Sequence, residues 1–293
     1  MSITRLNSEC ITCLLNKYLN KVPDGTDQNT KLSYMQGVLK ILANTPKEVS
    51  APQAMSEITK LQKELLGYKE DFTDKKKYYN RLMLSLQDDI ALKIQKAENP
   101  LYLAVCYALL GNYIDFGAMN NVDENKLKEM LGEADTLTYK DEEFSNLKKD
   151  LSNAKSLVYI TDNCGEILLD KLLIMTILKE YPNLNIEVIV RGADVLNDAT
   201  TVDATEVGLN LLVPVINNGT DVAGTCLTEI SEEARDKIDS ADVIIAKGQA
   251  NFETLRYCNK NIYYIFMCKC KMFAERFDVP QYSGMLLNDL RLK

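Results

Sequence analysis

Along the first half of the chain, apolar residues recur every third or fourth position; along the second half they come in short unbroken runs. The first spacing lays a stripe on one face of a helix. It is clearest from Asp74 to Ala97, where Tyr79, Leu82, Leu86, Ile90 and Ile94 predict one long helix ended by Asn99-Pro100. A second apolar helix is expected from about Leu101 to Leu110, closed by Gly111. Upstream, Ser50 followed by Pro52 and Gln53 reads as a capping box with proline just inside the helix start. The charged stretch from Gly132 to Asp150 reads as surface. The domain boundary belongs beside it, giving a helical N-terminal region over residues 1–152 and an α/β domain over 153–293.

In the second region five β-branched runs predict strands at Ser156–Ile160, Asn185–Val190, Leu212–Ile216, Asp242–Ala246 and Ile262–Phe266. Helical segments near Glu166–Glu180, Val202–Asn210, Thr228–Ser240 and Phe252–Tyr257 separate them. Strict alternation, with strands too apolar to keep a wet face, predicts a parallel sheet covered on both sides.

Composition narrows the chemistry. The 293 residues are 46% hydrophobic and 26% charged, as in an ordinary soluble globular protein of about two domains. There is no histidine. That excludes Ser-His-Asp and Cys-His mechanisms and the histidine-bound zinc enzymes, leaving carboxylates, amides, Lys, Cys, Tyr or an oxygen-ligated metal. With 34 basic against 42 acidic residues, the net charge of −8 argues against a nucleic-acid partner. The one strongly basic run, Lys75-Lys76-Lys77, reads as the solvated start of a helix. The N-terminus has no apolar signal region, and the longest apolar stretch, Ile167 to Leu178, is interrupted by Asp170 and Lys171. A cytoplasmic protein with no membrane segment is expected, its eight cysteines mostly free thiols. Cys10 and Cys13, with Cys268 and Cys270, suggest a four-thiolate zinc site; the plainer reading puts the first pair on one buried helix face.

Ligands of open α/β sheets bind beyond the carboxyl ends of the strands. Here the first strand is followed by Thr161-Asp162-Asn163-Cys164-Gly165-Glu166, and the second by Arg191-Gly192 and then Asn197-Asp198. The third leads to Asn217-Asn218-Gly219-Thr220-Asp221, the fourth to Lys247-Gly248-Gln249-Ala250-Asn251, and the fifth to Cys268-Lys269-Cys270. Two carboxylates and an amide oxygen suit a hard divalent cation, which makes Asp162, Asn163 and Asp198 candidate ligands. A helix N-cap and tight turn is the structural alternative for Asp162 to Gly165. Lys247, opposite a carboxylate cluster, would meet a phosphate shared with the metal. No GxGxxG or GxxxxGK[ST] is present, so neither a dinucleotide fold nor a P-loop is supported. Cys164 stands where a DxD phosphoaspartate turn would need its second acid, and without histidine it lacks a base of its own.

Taken together, Asp162-Asn163-Cys164-Gly165-Glu166-Ile167 with Asp170, Arg191-Gly192 leading to Asn197-Asp198-Ala199-Thr200 and Asp203-Ala204, and Ala241 through Glu253 with its Lys247-Gly248-Gln249-Ala250-Asn251 resemble the metal-dependent damage-control phosphatases. The likeness extends to Gly111-Asn112-Tyr113-Ile114-Asp115-Phe116-Gly117 and to Cys10-Ile11-Thr12-Cys13, which points to the prokaryotic-type branch. It implies a helical N-terminal region on a three-layer α/β/α core with a mainly parallel sheet. It also implies a divalent metal (Mn, Mg, Co or Ni) on Asp162, Asn163 and Asp198, and phosphate contacts at Lys247 and Asn251. The implied activity is hydrolysis of small phosphate monoesters, sugar phosphates or damaged phosphometabolites, by metal-activated water. Glu166, Asp115 or Asp221 would orient that water, and Asn112, Arg191, Asn197, Gly219 and Gly248 complete the expected substrate site. Two other readings are carried forward: an S-adenosylmethionine-dependent carboxyl methyltransferase, and a non-catalytic protein that binds a phosphorylated metabolite.

Overall fold

In a computed structural model, residues 5–115, 123–139 and 141–292 are described. The chain forms two compact units, Met1–Asp71 and Phe72–Lys293. The first holds three helices, α1 (Ser8–Leu19), α2 (Gln28–Asn44) and α3 (Ala51–Leu66), around Leu14, Tyr18, Tyr34, Val38, Leu42 and Ile58. Its third helix begins with the expected capping box of Ser50 and Gln53 and ends at Gly67 in the left-handed region. Cys10 is half-buried and Cys13 exposed. The face that α1 buries carries Leu14 and Tyr18, so a shared buried face for the two thiols does not hold.

The second unit opens with α4 (Thr73–Ser85), α5 (Gln87–Lys96), α6 (Pro100–Gly111), α7 (Glu124–Gly132) and α8 (Asp141–Asn153). The long helix expected from Asp74 to Ala97 is two helices. Leu86, at φ −100° and ψ −5°, ends α4 and starts α5, and its N–H turns back to Met83 O at 3.0 Å. Asp88 and Asp89 in the first turn of α5 and Lys93 and Lys96 in its last suit a separate helix dipole. The charged segment read as surface also contributes to the core, since α8 buries Phe144, Leu147 and Leu151.

There follow β1 (Ser156–Ile160), α9 (Glu166–Glu180), β2 (Asn185–Val190), α10 (Thr201–Glu206), β3 (Val215–Asn217), α11 (Glu232–Ser240), β4 (Val243–Lys247), α12 (Gln249–Leu255), β5 (Ile262–Met267), α13 (Lys271–Phe277) and β6 (Gly284–Asn288). The sheet order is β3-β2-β1-β4-β5-β6, parallel except for β6, which runs antiparallel to β5. Alternate strand residues feed two cores. Leu157, Tyr159, Val188 and Ile245 pack with α6 and α9 on one face; Val158, Ile160, Ile244 and Phe266 pack with α11, α12 and α13 on the other. The fold is α/β with three layers, as expected. Secondary structure changes character near residue 152, but the packing divides at Asp71, because α6 and α4 lie directly on α9. Among the described residues no helix is long and apolar enough to cross a membrane.

Candidate functional site

Strand order reverses between β2 and β4 on either side of β1, and at such a switch point the loops after neighbouring strands part to leave a crevice. The segments after β1 and β2 run together there. Cys164 N–H donates to Asn197 O at 2.8 Å, Ala199 N–H to Asp162 O at 2.7 Å, and Asn163 and Asp198 form an isolated antiparallel bridge. Asp162, Asn163 and Asp198, adjacent by expectation only, are thus brought side by side and nearly removed from water. The end of β4 closes from the other flank. Gly248 has φ +82°, and a Cβ there would stand 1.9 Å from Asp162 Oδ2, so only glycine lets the backbone pass this carboxylate.

The donor pattern around the three side chains is one-sided. Asp162 Oδ2 accepts from Asn112 Nδ2 at 2.9 Å and Asn163 Nδ2 at 2.6 Å, and Asp198 Oδ2 accepts from Arg191 Nε at 2.7 Å. The other oxygens, Asp162 Oδ1, Asn163 Oδ1 and Asp198 Oδ1, take no hydrogen bond from any described residue. Burial first, then the charges of Glu166, Asp198 and Asp115, push the Asp162 carboxyl well above the ordinary carboxylate range. Burial also raises Asp198, against the pull of the Arg191 guanidinium.

Beneath Asp162 lies a second, fully enclosed layer. Glu166, which starts α9, accepts from Asn112 Nδ2, Asn163 Nδ2 and the Lys247 ammonium. Lys247 also donates to Ala108 O at 2.8 Å and pairs with Asp170 at 3.0 Å, and Asp170 accepts from Tyr159 Oη at 2.7 Å. All three ammonium hydrogens of Lys247 have protein partners and its side chain has no exposure, so it does not present a cation to the crevice. The expected phosphate contact gives way to an internal role. Asn251 is committed in the same way: its amide donates to Thr161 O and Lys247 O and accepts from Thr225 Oγ1. Each residue stitches loops together.

Among the remaining candidates, Asn197 Nδ2 donates to Ile114 O at 3.1 Å and Arg191 donates to Gly224 O as well as Asp198. Gly219 and Asp221 are exposed, and no hydrogen bond among the described residues joins Asp221 to the cluster. Asp115 takes the Lys269 ammonium at 2.6 Å; Phe116 and Gly117, from the same sequence motif, lie outside the described residues. Lys269 is the residue that the sequence pattern underrates. It lies two residues beyond β5, where Lys247 ends the neighbouring β4; its backbone N–H is held by Gln249 Oε1, and its charge pulls on Asp162. Asp170 was legible only as part of a motif, and its place under Lys247 needed the fold.

The residues suit a hard cation on chemical grounds. Among the described residues five carboxyl groups (Asp115, Asp162, Glu166, Asp170, Asp198) share the cluster with three cations (Arg191, Lys247, Lys269), an excess of acidic groups that a divalent ion would offset. Among the described residues no three His, Cys, Asp or Glu side chains form a group able to hold a metal by themselves, a thiolate site included. The donor set at the crevice has two such acids and an amide, with the rest of the shell left to water or ligand.

The family model described as the damage-control phosphatase ARMT1-like domain matches residues 6–285. A Methanocaldococcus jannaschii protein is 31% identical across 97% of this chain and 95% of its own length. A damage-control phosphatase of Pyrococcus horikoshii is 31% identical across 94% of this chain and 96% of its own, and one of Archaeoglobus fulgidus is 29% identical across 94% and 96%. The crystal structure of a DUF89 family protein from Pyrococcus horikoshii matches with a TM-score of 0.79 at 30% identity, covering 97% of this chain and 99% of that one. The chain belongs to the damage-control phosphatase ARMT1-like family.

Proposed function

From that membership we propose that the protein is a metal-dependent phosphomonoester hydrolase acting on small phosphorylated metabolites, sugar phosphates among them. The observation that carries the metal is the set of three unclaimed oxygens, Asp162 Oδ1, Asn163 Oδ1 and Asp198 Oδ1, in a cluster short of positive charge. A divalent ion such as Mn²⁺, Mg²⁺, Co²⁺ or Ni²⁺ bound there would supply Lewis-acid polarisation of a phosphoryl oxygen and lower the pKa of bound water.

The chain's own groups divide the remaining work. Arg191 aims Asp198 and favours its ionised form against burial, while Asn112 holds Asp162 from the protein side. Glu166 is sealed behind Asp162 with four donors upon it and does not reach water, so it orients Asn112 and Asn163. Lys269 uses one ammonium hydrogen on Asp115 and has no second side-chain partner among the described residues, which makes it the cation to neutralise the transferring phosphoryl group. Of the three carboxylates expected to orient the attacking water, Asp115 is the one beside that ammonium at the edge of the cluster. No observation favours a methyltransferase or a silent binding protein.

The test is hydrolysis of a phosphate ester with saturating Mn²⁺ by Asp198→Asn and Lys269→Ala. Asp198→Asn keeps the shape beside Arg191 and is expected to lower kcat/KM at least ~100-fold. Lys269→Ala is expected to raise KM and lower kcat, together costing roughly 2–4 kcal/mol of transition-state stabilisation. Unchanged kcat/KM in Lys269→Ala would remove it from the site.

A further inference from the structure

In the lysine run at the start of α4, Lys75 and Lys77 are exposed as the sequence suggests, but the middle residue is not. Lys76 is only 6% exposed, and its ammonium meets Asp203 at 2.9 Å and Asp194 at 3.1 Å. One turn on, and therefore on the same helix face, Asn80 is fully buried. Its Oδ1 accepts the Gly165 N–H at 2.7 Å, and its Nδ2 donates to Asp203 Oδ1 at 2.9 Å and Glu206 Oε2 at 2.8 Å.

Both ends of these contacts lead to the candidate ligands. Gly165, at φ +69°, closes the turn that carries Asp162 and Asn163, and a Cβ there would already press on Tyr79 Cβ at 3.2 Å, so α4 approaches this turn without slack. Asp203 Oδ2 accepts from Thr200 N–H at 2.8 Å and Thr200 Oγ1 at 2.9 Å in a capping box. That fixes Thr200, the N-cap of α10, two residues after Asp198. One helix that contributes no strand-end loop of its own thus grips the turn after β1 and the segment after β2 through two side chains.

We propose that Lys76 and Asn80 are positioning residues of the candidate metal site. By pinning both ligand-bearing segments to α4, they set the distance from Asp162 and Asn163 to Asp198 and so the affinity for a divalent cation. This rests on the metal reading given above. A network that only stabilised the fold would leave the cation affinity of the folded protein unchanged, which separates the two roles.

The experiment is a Mn²⁺ titration read by the electron paramagnetic resonance signal of the unbound ion, on the full chain, with a thermal melt of each variant. The unsubstituted protein is expected to bind Mn²⁺ and Asp162→Ala to lose it. Asn80→Ala, which frees the Gly165 N–H and releases Asp203, is expected to raise the dissociation constant by about 10- to 100-fold while the protein still melts cooperatively. Lys76→Met is expected to raise it as well. It leaves the Gly165 tether intact, so it decides the matter should Asn80→Ala fail to fold. An unchanged dissociation constant in the folded variants overturns the positioning role and leaves the metal reading standing. Absence of Mn²⁺ binding by the unsubstituted protein overturns both.

Discussion

The charged side chains of the cluster differ in what water can reach, and this decides their roles more than residue type does. Lys247 and Lys269 stand at the ends of neighbouring strands and look equivalent in sequence, yet the first is enclosed by Glu166, Asp170 and Ala108 while the second meets one carboxylate at the cluster edge. Asp170 is the clearest electrostatic consequence. Burial, only partly offset by Lys247, raises its carboxyl from 3.8 to about 6. The folded state then holds this proton more tightly than the unfolded chain, so ionising Asp170 costs stability as pH rises from about 4 to about 6. Urea unfolding at pH 4.5, 5.5 and 6.5 is expected to show the difference in stability between wild type and Asp170→Asn moving against the wild type, by at most about 1.4 kcal/mol per pH unit. A difference that grows in favour of the wild type over that range would mean that Lys247 wins. That Asp162, Asn163 and Asp198 would lie near one another was legible because the first two follow β1 and the third lies in the segment after the neighbouring strand β2. The sequence misled on Lys247 and Asn251, since whether a strand-end side chain turns outward or inward depends on segments distant in the chain, such as α6 beneath Lys247.

At the scale of elements, the site depends on how closely the loop after β4 passes the loop after β1. Gly248→Ala places a methyl group on the Asp162 carboxylate and forces a side chain into φ +82°. It is expected to lose at least about 2 kcal/mol of stability and more than ~100-fold in activity. Gly132→Ala, with no atom within 4 Å of its Cβ, is the matched control and is expected to be neutral or to gain up to about 1 kcal/mol from helix propensity. Wild-type activity in Gly248→Ala would contradict the approach of β4 to Asp162. The interior parallel strands β1, β2, β4 and β5 were readable because a strand covered on both faces is mostly apolar, and β1 and β2 have the predicted bounds; the edge strand β3, only half-buried, is shorter than expected and starts three residues later, at Val215. The antiparallel edge strand β6, Gly284 to Asn288, was not predicted, and neither was the short helix α13 that precedes it. The break at Leu86 was hidden because two consecutive helices can carry one apolar period with no Gly or Pro between them.

For the whole molecule, the absence of histidine removes most catalytic mechanisms, and the side chains that remain are those the strand ends assemble: carboxylates, amides and lysines around a switch point. The α/β class and the parallel direction of five strands followed from the alternation of strand and helix patterns; the antiparallel β6 did not. The division at Asp71 did not, because whether helices α4 to α8 belong with the sheet is a question of packing that one chain's hydrophobic pattern leaves open. The central claim is that this acidic cluster is made to work by a divalent cation. It is tested most directly by chelating the protein, then measuring hydrolysis of p-nitrophenyl phosphate and a panel of sugar phosphates before and after adding back Mn²⁺, Mg²⁺, Co²⁺ or Ni²⁺, with Asp162→Ala in parallel. The account predicts negligible turnover after chelation, restoration by added metal, and no restoration in Asp162→Ala. Full activity in the chelated protein, or metal-restored activity in Asp162→Ala equal to wild type, would contradict it.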